Sequence, residues 1–413
     1  MSIARVIRAV GRGQVRNLWY LANRLPLQAP SLTSMTLDAD DLAVARRWLR
    51  HRTDWDACEP VARFEAAFAQ WNGSAAAYAF MSGREALSAC LTALDLRPGD
   101  EVAIPGYTCV VVPNALSYAG LTPIYADIEH ETYGLDVTSL ERRITPRTKA
   151  ILLQHLFGLV CRDYEAILDV ARRHGLPVIE DCAHATGAAY RGVNVGNYGD
   201  IAFYSLEQSK VLTTIQGGIA TTNRADLAAR LADIRDAAPL PDDTWIDRQL
   251  HQVALNYYRF KHPSRWWLGD LWYLRYGHTE LISTTDGEID GRRPPYYGRR
   301  MAAPIAALGM SQLAKVDAYN SRRRATAARW DAWCDAQGLA KPLVLPGSRP
   351  VYLRYPVLVR PEQKQDLRWA MRSLGVKPGV WFVSHRHPAP GVVAGCPQAD
   401  EAVARCINLP CLA

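Results

Sequence analysis

The sequence predicts an α/β protein with a mostly parallel central sheet flanked by helices, followed by a smaller C-terminal α+β domain. Two patterns indicate this class: helical and strand patterns alternate from about residue 61, and polar side chains follow several of the strands. Composition agrees, because 413 residues with 49% hydrophobic and 22% charged side chains are typical of a soluble chain with a large core. A mainly disordered chain and a collagen-like fibre are excluded.

The elements of this layer are justified by period and by their boundaries. Apolar residues recurring every three to four positions mark helices, and short apolar runs between Gly, Pro, Asn or Asp mark strands. In chain order we predict helix 61–71, strand 75–81, helix 83–96, strand 101–104, a helix ending at 118, and strands 123–128 and 149–154. They are followed by helix 163–174, strands 177–180, 201–205 and 218–222, and helix 224–237.

The alternation stops between residues 238 and 300. Nine of the residues in 245–276 are aromatic, about three times the density of the whole chain. Packing in the core or between subunits is the favoured interpretation; a binding face or contact with lipid headgroups is the alternative. The pattern then predicts one long helix over 306–337, a strand over 352–359 and a helix over 362–374.

These segments predict three regions. They are a basic N-terminal arm and helix (1–50), a large α/β domain (51–300) with an aromatic-rich insert (240–295), and a small C-terminal domain (301–413).

The N-terminal arm holds much of the formal net charge of +7, since residues 1–37 carry five arginines and no acid. A solvated arm, or one packed on a partner subunit, is the favoured interpretation. The alternative is a basic amphipathic helix on an anionic membrane, with peripheral contact through 1–25 and 245–276. Elsewhere the charge is nearly balanced and no nucleic-acid motif occurs, so nucleic-acid binding is not predicted.

Cysteine usage and hydropathy indicate the compartment. The nine cysteines are scattered without a CxxC pair, so neither a metal site nor a disulfide framework is predicted. No apolar run reaches the length that spans a bilayer, and arginines interrupt any secretory signal. We expect a cytoplasmic protein, with the inner membrane surface as a possible peripheral location.

Chemistry concentrates in residues 177–222. Asp181 follows one strand and Ser205 and Lys210 follow the next, with His184 close behind Asp181. Because ligands of α/β sheets bind beyond the carboxyl ends of parallel strands, a carboxylate, an imidazole, a hydroxyl and an amine are predicted on one face.

This set suits pyridoxal phosphate. Lys210 supplies the amine for a Schiff base, and Asp181 supplies a carboxylate that keeps the ring nitrogen protonated. Ser82-Gly83-Arg84, at a strand-to-helix junction, supplies backbone N–H groups for the phosphate. Each residue alone has a plainer role, such as a helix cap for Asp181 or a surface position for Lys210. Their order along the chain, each at a strand exit, is what points to the cofactor.

Six segments make the chain resemble a known family: GDEVAIPGYTCVVVPNAL, RTKAILLQHLFG, VIEDCAHATGAAYRG, GDIAFYSLEQSKVLTTIQGGIATT, ALGMSQLAKVD and CPQADEAVARCINLPCL. They resemble the DegT/DnrJ/EryC1/StrS family of pyridoxal-phosphate sugar aminotransferases, which have the fold-type I architecture. The likeness covers about 60–235 and 300–411.

The resemblance implies a role for each matching residue. Lys210 would carry the cofactor and shuttle a proton, and a lysine there implies transamination rather than the family's dehydratase branch. Asp181 would pair with the ring nitrogen and His184 would lie near the ring hydroxyl. Ser205, Ser82 and the backbone of Gly83 and Arg84 would hold the phosphate. A homodimer with shared active sites is the family expectation.

Four positions depart from the family pattern. Cys109 stands where an aromatic residue usually stacks on the ring, and Tyr107 is the candidate to replace it. Glu207 replaces a histidine, Arg84 replaces a small hydroxyl residue, and 296–301 lacks an asparagine that reaches across the dimer in relatives.

The expected function is transfer of an amino group from an amino acid, glutamate or glutamine, to a ketone. A nucleotide-linked keto-sugar of polysaccharide or secondary-metabolite biosynthesis is the default acceptor. The alternatives are a lipid-like or other non-sugar ketone at the membrane surface, and a cofactor-binding sensor or structural protein without turnover.

Overall fold

The computed structural model of the chain describes residues 36–261 and 284–412. Its helices, numbered in chain order, are α1 (Ala39–Arg50), α2 (Cys58–Asn72), α3 (Gly83–Ala93), α4 (Val111–Tyr118), α5 (Val137–Arg143), α6 (Tyr164–His174), α7 (Ala225–Ala237), α8 (Asp243–Lys261), α9 (Asp286–Ile289), α10 (Ala303–Leu313), α11 (Val316–Gln337), α12 (Pro361–Gln365), α13 (Arg368–Ser373) and α14 (Pro397–Arg405).

Seven strands form the central sheet in the order β1-β10-β9-β6-β5-β2-β4. They are β1 (Ala76–Phe80), β2 (Glu101–Pro105), β4 (Thr122–Ala126), β5 (Thr148–Gln154), β6 (Val178–Asp181), β9 (Ile201–Ser205) and β10 (Gly218–Thr222). Strands β9, β6, β5, β2 and β4 pair in parallel, and β10 is antiparallel to both of its neighbours. The prediction of a mostly parallel sheet between helices is confirmed.

The sheet is covered on both faces, as a parallel sheet requires. Along β5, Ile151 and Leu153 join the apolar cluster on one face, whereas Ala150 and Leu152 join the cluster on the other. This alternation is the period of two expected of a strand. Because both sets are apolar, β5 appears in the sequence as a continuous hydrophobic run rather than an alternating one.

The prediction of a single helix over 306–337 is wrong, since α10 ends at Leu313 and α11 begins at Val316. The break lies at Lys315, whose amide N–H donates to Gln312 O at 3.1 Å, a tighter turn than that of an α-helix. Its ammonium group pairs with Asp40 at 2.8 Å and Asp41 at 2.6 Å, both in α1. The break between the two helices therefore lies where Lys315 is held by α1.

The C-terminal part contains β12 (Arg354–Leu358), which pairs antiparallel with β14 (Cys406–Pro410). The predicted helix over 362–374 is two short helices, α12 and α13, because Asp366 between them has an extended backbone (φ −124°, ψ 97°). Tyr355 of β12 belongs to an apolar cluster that also contains Phe157, a residue from the region of the large sheet. The division of the chain at residue 300 stays a prediction.

Five short strands complete the described structure: β3 (Thr108–Cys109), β7 (Ala189–Tyr190), β8 (Val193–Asn194), β11 (Ser348–Arg349), which lies beside β7, and β13 (Arg386–His387). The parallel pairing of β3 with β13 joins the C-terminal part to the loop after β2. It places the segment around His387 directly beside Cys109.

Most of the segments invoked for membrane contact lie outside the described residues, namely 1–25 and 262–276. Within the described part of the aromatic stretch, Trp245 packs on the central core and Tyr258 Oη accepts a hydrogen bond from Arg46 at 2.7 Å. Among the described residues, no helix has the length and apolar character needed to cross a bilayer.

Candidate active site

A cavity of about 300 Å³ opens at the carboxyl ends of β5, β6 and β9. The last residues of these strands, Gln154, Asp181 and Ser205, all line it. Eight of the nine residues predicted for the site line this cavity: Ser82, Gly83, Arg84, Cys109, Asp181, His184, Ser205 and Lys210. The topology therefore brings together side chains that lie far apart in the sequence.

Tyr107 is the exception, and its prediction as a ring-stacking residue is wrong. Its side chain is fully buried, and its hydroxyl oxygen accepts the Phe382 N–H at 2.8 Å. The ring packs edge-on against Phe382, with centroids 5.1 Å apart, and near Tyr133. Tyr107 therefore lies behind Phe382, which lines the cavity together with Cys109, and Tyr107 itself does not line it.

The N-terminus of α3 forms one end of the cavity. Ser82 caps the helix, with its Oγ accepting the Glu85 N–H at 3.4 Å. Gly83 is pressed against Ser205, where an added Cβ would lie 2.7 Å from the serine Cβ. Free N–H groups at a helix start together with a hydroxyl form a typical phosphate site. The absence of a side chain at 83 is thus what permits the close approach of Ser205.

Gly83→Ala should weaken cofactor binding about ten- to hundredfold, because overpacking of this size costs about 1–3 kcal/mol and displaces the helix from Ser205. The dissociation constant measured by fluorescence titration tests this. Gly287→Ala is the matched control, since its added Cβ meets nothing closer than 3.7 Å. Equal affinities of the two variants for the cofactor would contradict the assignment of the phosphate end.

Arg84 follows Gly83, and its guanidinium forms an ion pair with Glu288 of α9. Both side chains are almost buried. Asn114 Nδ2 donates to Glu288 O at 2.6 Å, which ties α9 to α4 at the same end of the cavity. The side chain of Arg84 is therefore held by a carboxylate, and its backbone N–H is the part that remains suited to a phosphate.

Glu85, in the same helical turn, gives the protein a pH-dependent stability. Burial raises its pKa from 4.5 to about 7, against opposing hydrogen bonds and the charge of Arg84. The unfolded chain loses this proton near pH 4.5 and the folded chain keeps it until about pH 7. The contribution of Glu85 to the free energy of unfolding is therefore fully present below pH 4.5 and is lost as the pH rises to 7.

Glu85→Gln should remove this dependence and stabilise the protein above pH 7 by on the order of 3 kcal/mol. Unfolding by denaturant between pH 4.5 and 8 measures the effect. The exposed Glu59→Gln variant serves as control, because its carboxylate lies on the surface. If the free energy of unfolding of Glu85→Gln varied with pH in the same way as that of the unchanged protein, the assignment would be disproved.

Asp181, at the end of β6, is a buried carboxyl beside Lys210. Burial raises its pKa to about 6, although the Ala183 N–H, which its Oδ1 accepts at 2.9 Å, and the charge of Lys210 oppose the rise. A cationic N–H directed at the other oxygen would favour the charged form. The site therefore suits a protonated ring nitrogen.

His184 is held as a neutral donor. Burial lowers its pKa well below the usual value, and the charges of Lys210 and Arg354 add to this effect. Its Nδ1 accepts the Phe157 N–H at 3.2 Å, so the proton of the neutral ring is assigned to Nε2. The ring stacks on Trp381, with centroids 5.2 Å apart and planes 12° from parallel. Nε2–H is thus available to an acceptor oxygen.

Lys210 lies in the turn after β9, where its N–H donates to Glu207 O at 2.9 Å. Burial lowers the pKa of its amine and Arg354 lowers it further, whereas Glu207 opposes the shift. Its Nζ lies 4.9 Å from the centroid of the Trp381 ring. Lowering the pKa favours the neutral amine, which is the form that attacks an aldehyde and accepts a proton.

A buried network lies beneath Asp181. His155 Nε2 lies 3.1 Å from Glu180 Oε2, and Tyr164 donates to the same oxygen at 2.5 Å. Although burial opposes it, these partners hold the pKa of Glu180 below its usual value. The N–H groups of Gly196 and Gly199 donate to this carboxylate at 2.8 and 2.6 Å. His155 also lines the cavity. The network therefore holds in place Glu180, the residue that directly precedes Asp181 in β6.

Sequence reasoning missed the residues that the C-terminal part supplies. Trp381 and His387 line the cavity, and Arg354 stacks on Trp381. Their signals were an arginine within the apolar strand pattern YLRYPVLV and the aromatic and imidazole cluster WFVSHRHP. Neither signal indicates which cavity the side chains enter, because that depends on β3 pairing with β13.

The residues fit pyridoxal phosphate on the geometry alone. A lysine amine and a buried carboxylate line one cavity, and at its end two glycines bring backbone and hydroxyl groups close together. A Cβ at Gly83 would strike Ser205, and one at Gly218 would lie 2.2 Å from Ser82 O. The fold and the site together define a fold-type I pyridoxal-phosphate-dependent transferase. Residues 36–263 and 273–413 match the model of the DegT/DnrJ/EryC1/StrS aminotransferase family, and the chain belongs to that family.

Two relatives and a solved structure illustrate the similarity. The chain is 46% identical to GDP-perosamine synthase of Caulobacter vibrioides over 175 residues, which are 42% of this chain and 47% of the relative. It is 33% identical to GDP-perosamine synthase of Escherichia coli O157:H7 over 300 residues, 73% of this chain and 68% of the relative. The structure of S. venezuelae DesV in complex with a ketimine intermediate is 27% identical, with a TM-score of 0.69 over 90% of this chain and 89% of that chain.

Proposed function

We propose that the protein transfers an amino group from an amino acid, glutamate or glutamine, to a nucleotide-linked keto-sugar. The observation that carries the proposal is the lysine at position 210, buried in one cavity with Asp181 and His184. Lysine is the residue that this chemistry needs, since it both binds the cofactor and exchanges protons with the substrate.

Two residues would hold the cofactor ring, and a third would help to hold its phosphate. Pyridoxal phosphate, when bound, supplies an electron sink for the carbon that bears the amino group. Asp181 would accept the hydrogen bond of the protonated ring nitrogen and keep it protonated. His184 would donate its Nε2–H to the ring hydroxyl oxygen, and Ser205 with the start of α3 would hold the phosphate.

Lys210 would act as the general base and acid. Its Nζ would take a proton from the donor's α-carbon and give it back at the carbon that was the cofactor's aldehyde, and the reverse order would serve the acceptor. The lowered pKa of Lys210 supports this role, because a base is effective when its pKa lies near the working pH. The apolar walls, Trp381 and Phe382 among them, exclude water from the proton transfer.

The acceptor class rests on the relatives. Two are named GDP-perosamine synthase, and a third is named UDP-N-acetyl-3-dehydro-alpha-D-glucosamine 3-aminotransferase of Acidithiobacillus ferrooxidans, 41% identical over 173 residues. Others are named for transfer from L-glutamine to scyllo-inosose compounds, which are cyclic ketones without a nucleotide. The 3-dehydro-glucosamine and inosose names denote a cyclic polyhydroxylated ketone, and the two perosamine names denote a nucleotide-linked amino sugar.

A panel of ketones tests the proposal. The protein loaded with cofactor is incubated with glutamate or glutamine, and its amino form is then mixed with nucleotide keto-sugars, free inososes and lipid-like ketones. Turnover of a nucleotide keto-sugar at least about tenfold above the other classes supports the proposal, by the arithmetic of specificity. Preference for a lipid-like ketone, or retention of the aldehyde form with every donor as in a sensor, contradicts it.

A homodimer that shares its active sites is also proposed, and what supports it is membership of the family. Light scattering on the eluting protein measures the mass directly. A monomer of 45.9 kDa would contradict the homodimer.

Peripheral membrane contact through 1–25 and 245–276 remains a proposal based on the charge and aromatic content of these segments. Sedimentation with anionic liposomes, comparing the full chain with one lacking residues 1–37, tests it. Absence of binding by the full chain would end the proposal.

A further inference from the structure

The loop that carries Lys210 contains a strained residue. The loop joins β9 to the antiparallel strand β10 over residues 206–217, and the Leu206 N–H donates to Gly217 O at 2.8 Å across its base. Near the end of the loop Ile215 has a left-handed backbone (φ 73°), although isoleucine is β-branched. Such a conformation costs about 1–3 kcal/mol and persists only where the surrounding structure imposes it. Contacts from outside the loop must therefore hold it in shape.

Helix α8, the first helix of the aromatic-rich insert, makes such contacts on both sides of Lys210. Gln249 Oε1 accepts the Gln216 N–H at 3.2 Å, and Asn256 Nδ2 donates to Gln208 Oε1 at 3.0 Å. Gln208 precedes Lys210 in the loop and Gln216 follows it. One helix therefore binds the loop at two points, and the lysine lies between them.

The two amides of α8 lie on a buried face of the helix. Gln249 is completely buried and Asn256 is 1% exposed, and Val253, which shares their face, is apolar and completely buried. Ile215 belongs to the same apolar cluster as Val253. The third buried amide of the helix, Gln252, donates to Asn256 Oδ1 at 2.8 Å and so helps to orient the asparagine. The helix thus presents hydrogen-bonding groups to the loop from within an apolar contact.

An amide at position 249 is unfavourable for packing alone. Gln249 Nε2 is buried and has no hydrogen-bond partner in 36–261 and 284–412. A buried donor without an acceptor costs about 1–3 kcal/mol, so an apolar side chain of similar length would suit this position better if it served the core only. The part of the side chain that the fold uses is its oxygen, which binds the Gln216 N–H.

Gln216 links this contact to the cofactor site. Its side chain lines the cavity. Two residues further on, Gly218 passes Ser82 so closely that an added Cβ would lie 2.2 Å from Ser82 O. A displacement of Gln216 would therefore disturb both the loop of Lys210 and the strand that packs on Ser82 at the phosphate end.

We propose that Gln249 and Asn256 are positioning residues that hold the loop of Lys210, so that its amine meets the aldehyde carbon of the cofactor. The inference rests on the proposed function and gives the insert a role in it. Neither amide is among the described residues that line the cavity, so both act through the loop and not on the substrate. Their effect can be large, because a misplacement of about 1 Å can cost about a hundredfold in rate.

The test compares Gln249→Met and Asn256→Leu with the unchanged protein, all loaded with cofactor. Methionine has the length of glutamine and lacks its accepting oxygen. Hydrogen exchange resolved by peptide mass mapping should be at least about tenfold faster in residues 206–217 of each variant, and unchanged outside this loop and α8. Gln70→Met, at an exposed position of α2, is the matched control and should exchange as the unchanged protein does.

Three further readouts distinguish positioning from a structural role alone. Stopped-flow measurement of the half-reaction with glutamate should show a maximal rate at least about tenfold lower, with less than about a twofold change in the half-saturating concentration. Borohydride should label a smaller fraction of Lys210. The melting temperature of Gln249→Met should stay close to that of the unchanged protein, because the Gln216 N–H loses its acceptor while the unpartnered amide donor is removed.

The outcomes separate this inference from the proposed function. Equal exchange in residues 206–217 of the variants and the unchanged protein overturns the inference, as does faster exchange with normal labelling of Lys210 and a normal rate. Faster exchange throughout the chain with a lower melting temperature, or failure of both variants to fold, indicates a structural role alone and also overturns it. If only Gln249→Met fails to fold, Asn256→Leu decides by the same measurements. If the unchanged holoprotein converts no amino acid, the proposed function fails, and the exchange and labelling still decide whether α8 positions Lys210.

Discussion

Lys210→Ala abolishes covalent attachment of pyridoxal phosphate and reduces transamination by at least about 10⁴-fold, since it removes both the nucleophile and the general base. The fold is retained, because burial disfavours the charged amine and no side-chain hydrogen bond of Lys210 occurs among the described contacts. Borohydride reduction followed by peptide mass mapping measures the attachment, and a melting curve measures the fold. The unchanged protein should be labelled at the peptide that contains Lys210.

Lys149→Ala is the matched control, because this exposed lysine donates to Pro146 O at 3.0 Å and lies outside the cavity. It should be labelled and turn over as the unchanged protein does. Labelling of any other lysine in the unchanged protein, or retained labelling in Lys210→Ala, would refute the assignment. The chain has few lysines, so a label elsewhere is readily located.

The residues at strand exits were predictable because their signal is local. A strand pattern that ends at Glu180 or Tyr204 places the following Asp181 and Ser205 at the edge of a parallel sheet, whatever the remaining chain does. The same holds for Ser82-Gly83, where a strand is followed directly by a helix. Topology then brings these edges together, and the family resemblance supplied their roles.

The incorrect predictions concern packing between distant segments. Tyr107 and Cys109 lie two residues apart after β2, and which of them faces the cavity depends on β13, whose His387 lies opposite Cys109. The helix break at Lys315 depends likewise on acids of α1, far away in the sequence. Periodicity in a short window contains no information on such partners, so only the folded chain shows them.

The C-terminal residues bring an aromatic side chain to the cavity that position 109 does not provide. With Cys109 in place of an aromatic side chain, the described aromatic surface beside Lys210 belongs to Trp381, which also stacks on His184. A single indole thereby orients His184 and supports Arg354. The C-terminal part thus adds Trp381 and His387 to the cavity lining, beside the residues at the strand exits of the large sheet.

Asp181→Asn should retain cofactor and lose turnover by about 10³-fold or more, the size of effect expected when a preorganised charge is removed. The amide oxygen still accepts the Ala183 N–H, so the loop after β6 keeps its shape. A neutral amide, however, cannot hold the ring nitrogen in its protonated form. Stopped-flow measurement of the half-reaction with glutamate tests the rate, and dialysis tests cofactor retention.

The pH dependence of cofactor binding gives this variant a second signature. Since burial raises the pKa of Asp181 to about 6, the carboxyl must lose a proton before it can pair with a cationic ring nitrogen. Affinity for the cofactor should therefore fall as the pH drops below 6, and this fall should be absent from Asp181→Asn. Asp200→Asn is the matched control, since Asp200 accepts the Val178 N–H at 2.9 Å outside the cavity. Normal turnover by Asp181→Asn, or the same fall in affinity in both variants, would show that another group protonates the ring.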